Sequence, residues 1–495
     1  MSSRLLRVFE FLFKIERRER LKLLLLTTSF FFVIGGYTII KELKDSVFMS
    51  TVGIDYQPIA KVISMIVLVP AIIFYSYLVD RLRRYQLLYF YSLAYAILGL
   101  IFAYFIAHPS IGIANTDTSP YRIFGWLFYF FVEGYSPFVV SVFWAFANSI
   151  TSPEAAKTNY GLMVSGSKIG GMFTAAFAWY LFSCKPTSFF GLSTIVKHQI
   201  LLGTSSFLLL FVPFIILFLI KKVPGQYLHG YEAVYKVEKE KSKEELENSS
   251  SFNKNIINNS IVNKIKTFFT KCFRSLHFGS SGLKMIIRQP YVFAIFGIIF
   301  FYELINVVLG YQRLLLAKGA SADISELNCV LFKQVLLIHF FGFLLSFLGT
   351  NTLLRLLGER RCLLLLPLLV ALLLFFFMMN GTLDAITTVF IGLRVLNYAI
   401  SYPLRESLYI PTIKEIKFKS KSWIDSFGSK LAKGFGSSFN IFAKNVVLGN
   451  FGMIAFVGIH YIFFGLIIGM WFATSYYLGK KYQKSIDNNE VIGFS

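Results

Sequence analysis

The chain has 495 residues, of which 56% are hydrophobic, 18% aromatic and only 15% charged, with a mean hydropathy of +0.62. A soluble protein carries about a quarter of its residues as Asp, Glu, Lys or Arg, so the soluble globular class is excluded. The formal net charge of +23 raises nucleic acid as a partner. The basic residues, however, collect in short stretches between long apolar runs, which points to a membrane and to no nucleic acid.

An apolar run near 20 residues crosses the hydrocarbon core of a bilayer. Inside lipid every backbone polar group must be paired, which selects helices. In chain order the predicted spans are 23–42, 59–79, 86–107, 122–148, 160–182, 198–220, 290–310, 329–351, 362–380, 383–402, 435–450 and 452–478, twelve in all. Arg17, Arg18, Arg20 and Lys22 precede the first span. Arg81, Arg83 and Arg84 follow the second, Arg360 and Arg361 lie between the eighth and ninth, and Lys480, Lys481 and Lys484 follow the last. The connections 108–121 and 380–383 are nearly free of Lys and Arg. The positive-inside rule therefore predicts both termini in the cytoplasm, in a plasma or bacterial inner membrane. No small-residue cleavage site follows the first apolar run, so no cleaved signal peptide is expected.

Residues 221–289 form the one long polar insert. Its EKEKSKEELENSSSFNKNIINNS stretch reads as a cytoplasmic linker. It separates an N-terminal six-helix bundle, 1–220, from a C-terminal one, 290–495. LVDRLRRYQLL after the second span is echoed by LLRLLGERRCLLL after the eighth. Parallel six-helix repeats predict an all-α, major-facilitator-like 6+6 architecture. Any short cytoplasmic turn also attracts Arg, which is the second explanation of the echo.

Charge inside the apolar runs is the functional signal. An ionised side chain at membrane depth costs about 2.5–3.5 kcal/mol on insertion scales, so such groups face a cavity or each other. That pattern suits a transporter of something polar. Lys41 and Lys44 share one helix face and can hold a polyanion; alternatively they snorkel to headgroups. Glu133 lies mid-run, with Gly134 and Pro137 inviting a helix break, and Trp144 and Asn148 follow further along. It reads as a proton-coupling group, a partner for a basic residue, or a structural hydrogen-bonding group. Glu303 and Asn306 share a face of the seventh span, which Arg313 closes, and Arg394 and Asn397 share one of the tenth. A buried Glu–Arg pair between the halves serves either a substrate or a structural tie. Residues 404–436 are too polar to span. Their Gly428, Gly434 and Gly436, interleaved with Lys430 and Lys433, can present backbone N–H groups to phosphate or form a basic loop on anionic lipid. Cys184, Cys272, Cys329 and Cys362 show neither paired nor ligand spacing, so no disulfide, metal or cofactor is expected. No Walker A motif is present, which argues against an ATP-hydrolysing pump and against an enzyme.

Three blocks resemble the nucleotide transporters (ATP/ADP translocases) of plastids, obligate intracellular bacteria and some intracellular parasites. The first is Lys41-Glu42-Leu43-Lys44-Asp45. The second is Glu133 followed by Ser141 to Asn148, where the match needs a one-residue gap before Trp144, then Ile150-Thr151, Glu154 to Lys157 and Tyr160. The third is Tyr409-Ile410-Pro411, Lys414 to Lys419 and Gly428 to Gly436. The resemblance implies alternating-access transport of ATP, ADP or other nucleoside phosphates, with protons as a candidate co-substrate and the lipid bilayer as surroundings. It makes Lys44 and Glu133 positions implicated in nucleotide exchange and puts Arg405 where the family has a Lys. The expected substrate-binding set is Lys41, Lys44, Glu133, Asn148, Glu303, Asn306, Arg394 and Arg405. The family's Asn-x-x-Glu in the seventh helix is not kept, because Asn306 is followed by Val307, Val308 and Leu309. Glu303 is the nearby acid, and exchange and proton-coupled uptake both stay open. Two rival readings are a carrier of another organic anion and a non-transporting docking protein.

Overall fold

The computed structural model describes residues 20–151, 153–183, 191–223, 285–348, 350–409, 411–413, 416, 420–424, 428–488 and 490–493. Most of the predicted linker, Arg17 and Arg18, and Lys417 and Lys419 lie outside the described residues.

The apolar runs fold as helices: α1 Arg20–Thr51, α2 Gln57–Arg81, α3 Arg84–Phe105, α4 Ile123–Tyr135, α5 Ser141–Ile150, α6 Pro153–Ser183 and α7 Thr194–Lys222. After the insert come α8 Pro290–Gly319, α9 Ile324–Leu348, α10 Thr350–Asn380, α11 Leu383–Leu396, α12 Tyr402–Leu408, α13 Ser429–Phe442 and α14 Gly449–Asp487. The extended backbone pairing described is a single bridge, Thr412 to Ile492, which ties the segment after α12 to the segment after α14.

Nine stretches among the described residues are long and apolar enough to cross a membrane. One of them, Ser429–Asp487, has 59 residues and bends at Gly452, whose φ of 77° is not helical. A residue with a Cβ is disfavoured there. The predicted spans 160–182 and 383–402 are not among the nine. Their helices are present, and Lys168 with the neighbouring Gly and Ser lowers the hydropathy of α6. Large apolar side chains such as Tyr104, Phe214 and Leu372 point outward, with Ile454 91% exposed. A belt of that kind needs lipid rather than water around it.

Two buried cores form. One runs from Leu23 to Val223 and includes Phe332; the other runs from Ile286 to Ile492. Within the first, α1 packs on α6 and α7; within the second, α8 packs on α13 and α14. The α1–α6 approach is close enough that a Cβ on Gly170 would collide with the Phe31 carbonyl oxygen.

The halves meet strongly at one end, the end that carries Asp55 and Gly319. There Met49 packs with Leu314, Ala317, Leu327 and Leu331. His198 pairs with Asn328 at 2.9 Å, Thr194 with Ser325 at 3.2 Å, and Lys444 with Asp55. Ties described towards the opposite end stay within a half: Lys22 donates to the Ile150 carbonyl, and Tyr291 donates to that of Leu408.

Candidate functional site

Three π turns lie wholly among the described residues: Ser136–Val140 between α4 and α5, Asn397–Ser401 between α11 and α12, and Ala443–Leu448 between α13 and α14. Such turns free backbone groups and re-aim side chains, and they cluster at functional sites. The chain around Pro137 is therefore widened rather than broken. The first two turns begin three residues after a charge in the fourth helix of each half, Glu133 and Arg394. This is an internal echo that the loop arginines only hinted at.

The charges around the first turn are paired. Lys44 on α1 donates to Glu133 Oε1 at 2.6 Å and has Asp45 Oδ1 at 3.6 Å. Its ammonium also sits 4.6 Å from the centre of the Tyr129 ring. Lys44 thus also pairs with its own neighbour Asp45. Lys61 of α2 and Lys433 of α13 lie within electrostatic range of Glu133. The Glu133 side chain is 25% exposed, so it borders open space inside the bundle.

The second turn is arranged differently. Arg394 lies within electrostatic range of Tyr398, and Glu303 accepts from Asn306 at 3.2 Å. Glu303 is also within electrostatic range of Arg394. Both sit in the C-terminal half, on α8 and α11, so they do not tie the halves together. A Glu–Arg pair that does is Glu42 with Arg313, at 2.9 Å and almost completely buried. Lys41 lies 3.8 Å from Glu42, with its side chain 34% exposed inside the bundle. Lys168 of α6 reaches across the interface and places its ammonium 3.2 Å from the centre of the Tyr398 ring. Lys41 and Lys168 are in electrostatic range of one another and of Arg394.

Of the expected set, then, Lys41, Lys44, Glu133, Glu303, Asn306 and Arg394 converge on the space between the halves. Arg405 is one helical segment away on α12, 5.6 Å from the Tyr402 ring, and in electrostatic range of Tyr302. Asn148 is exposed near the far end of α5, roughly 20 Å beyond Glu133 at 1.5 Å per residue. The glycines of α13 serve helix packing: Gly434 faces Met65 of α2, and Gly436 faces Val307 and the Leu304 carbonyl of α8. Lys61, Lys168, Tyr398, Glu42 and Arg313 join the site without having been in the expected set.

The fold is similar to those of solved transporters. A D-xylose–proton symporter shares 12% identity, with 94% of this chain and 98% of that one covered and a TM-score of 0.58. The xylose transporter XylE from E. coli, in an inward-open conformation, shares 11% identity, with 92% and 94% covered and a TM-score of 0.55. A mutant of the nucleoside transporter NupG shares 14% identity, with 92% and 99% covered and a TM-score of 0.55. These identities speak for the shared major-facilitator-like fold alone. Among curated proteins none matches the chain. The model of one family, described as TLC ATP/ADP transporter, matches residues 2–482. With nearly its whole length matched, this chain belongs to the TLC ATP/ADP transporter family.

Proposed function

We propose that the protein moves nucleotides across a membrane by alternating access, with the substrate held between its halves. The observation that carries this reading is the family match over residues 2–482. The site agrees with it chemically. Lys41, Lys61, Lys168, Arg394 and Lys433 reach the interior in addition to the lysine and arginine already held by Glu133 and Glu42. A cavity with more cations than carboxylates attracts a polyanion over long range.

In this reading the twelve predicted passages span the bilayer, and Arg81, Arg360 and Lys480 face the cytoplasm by the positive-inside rule. The Asp55 end then faces outward, and the halves closed together there correspond to a cavity open towards the cytoplasm. The substrates are ATP, ADP or other nucleoside phosphates. Glu133 and Glu303 organise the cations or carry coupling protons. Proton coupling is the preferred mode, because Leu309 replaces the acid of the Asn-x-x-Glu pattern and the carboxylate at Glu303 remains beside Arg394.

The test is uptake of labelled ATP, ADP, GTP, CTP and UTP by cells that make the chain, with and without a protonophore and with internal nucleotide varied. Nucleotide uptake that falls with the protonophore supports the preferred mode. Uptake that ignores the protonophore and requires internal ADP makes the protein an obligate exchanger. Uptake of other organic anions in place of nucleotides removes the proposal.

A further inference from the structure

The equivalent π turns of the two halves hold their charges in opposite ways. At Glu133 the ion pair with Lys44 is made, at 2.6 Å. At Arg394 it is not: Glu303 accepts from Asn306, Arg394 sits 5.1 Å from the centre of the Phe390 ring and in electrostatic range of Tyr398, and its Nε is buried with no hydrogen-bond partner among the described residues. Lys168 is 7% exposed, and what covers its ammonium is the face of an aromatic ring. Among the described residues the carboxylate within reach of Lys41 is Glu42, which offers it Oε1 at 3.8 Å while Arg313 holds Oε2 at 2.9 Å, so Lys41 has the longer and weaker share. Three cations from three helices therefore converge with weak partners where carboxylates would be expected. A buried ammonium is normally paired, and a ring face is a weaker partner than an anion that accepts charge-assisted hydrogen bonds.

We propose that Lys41, Lys168 and Arg394 form the seat of the substrate's phosphate chain, and that Tyr398 occupies this seat until the substrate arrives. The inference rests on the nucleotide-transport reading above and assigns phosphate recognition within it. Lys44 is given a different task. Held by Glu133 and Asp45, it sets the position of α1 against α4 and leaves its neighbour Lys41 to meet the ligand. Lys168 and Lys41 come from the N-terminal half, Arg394 and Tyr398 from the C-terminal half. A phosphate chain bridging them draws the halves together on the side where the ties described so far stay within each half. Recognition and closure thus share the same residues. A longer phosphate chain reaches more of the three cations, so the seat favours triphosphate over monophosphate.

The experiment uses purified full-length protein in detergent and inorganic tripolyphosphate as the probe, read as the shift in thermal unfolding midpoint. The wild type is expected to be stabilised. Lys168→Gln and Lys41→Gln are each expected to lose most of that shift, and Lys168→Arg to regain part of it, because the charge returns but the geometry changes. If Lys168→Gln does not fold, Lys41→Gln, at a more exposed position, decides. In uptake assays Lys168→Gln should raise the apparent KM for a nucleoside triphosphate about tenfold or more, as removal of a charge-assisted contact does. The rise for the monophosphate of the same base should be clearly smaller. No shift in the wild type, an undiminished shift in the folded Gln variants, or an equal KM rise for mono- and triphosphate overturns the seat. A wild type that binds tripolyphosphate through Lys168 but takes up no nucleotide overturns the transport reading and leaves the seat standing. Normal nucleotide uptake with a Lys168-independent shift does the reverse.

Discussion

At the scale of single residues, the ion pair of Lys44 with Glu133 explains why a lysine and a glutamate persist inside apolar helices. Each is tolerated because the other is there. Removing one partner of a buried pair costs about 3–5 kcal/mol, and the 25% exposure of Glu133 brings the expected value towards the lower end through screening. Lys44→Ala should therefore lower the unfolding midpoint and reduce uptake by at least about tenfold, since 1.4 kcal/mol already corresponds to a factor of ten. Lys44→Ala combined with Glu133→Gln should be more stable than Lys44→Ala alone, because no carboxylate is left stranded. A double-mutant cycle of unfolding midpoints measures this; additivity within error contradicts the pairing. The sequence made both members of this pair visible, since each is a charge within or at the end of an apolar run. Lys168 met the same criterion within the predicted span 160–182 but sits among Ser and Gly in SGSKIGG, where its run no longer looks continuously apolar. Lys61 stands two residues into a predicted span, a place where a lysine ordinarily snorkels to the headgroups.

At the scale of helices, the run lengths were legible because lipid imposes them, while the π turns were not. A π turn adds one residue to a turn without a distinctive composition, and Pro137 marked only one of the three. The partner of Arg313 was equally hidden, since Glu42 is 271 residues away and adjacent in sequence to the more conspicuous Lys41. Helix packing yields a direct prediction at Gly170. A methyl group there meets backbone, the Phe31 carbonyl, so no rotamer change can relieve it. Gly170→Ala should separate α1 from α6 at a cost of about 1–3 kcal/mol, the usual range for overpacking. A clearly lowered unfolding midpoint in detergent is the expected result; an unchanged midpoint contradicts the close approach.

At the scale of the whole molecule, the two cores can move relative to one another only if the contacts at the Asp55 end open. The buried pair of Glu42 and Arg313 is the strongest of these by chemistry, with exposures of 3% and 4%. Arg313→Met strands Glu42 at about 3–5 kcal/mol, enough to move a closed–open balance by roughly a hundredfold or more. A cysteine placed at Ala317, buried in the cluster between the halves, should then react several-fold faster with an impermeant maleimide applied on that side. Adding Glu42→Gln should restore protection. Unchanged reactivity in Arg313→Met would mean that the pair does not hold this end shut. The central claim is transport of nucleotides, and reconstitution tests it most directly. Purified protein is placed in liposomes loaded with unlabelled ADP, and entry of labelled ATP is followed against liposomes without protein. The account predicts protein-dependent entry that unlabelled nucleotide suppresses and that Lys44→Ala reduces strongly; entry no faster than into protein-free liposomes, across ATP, ADP and the other nucleoside phosphates, contradicts it.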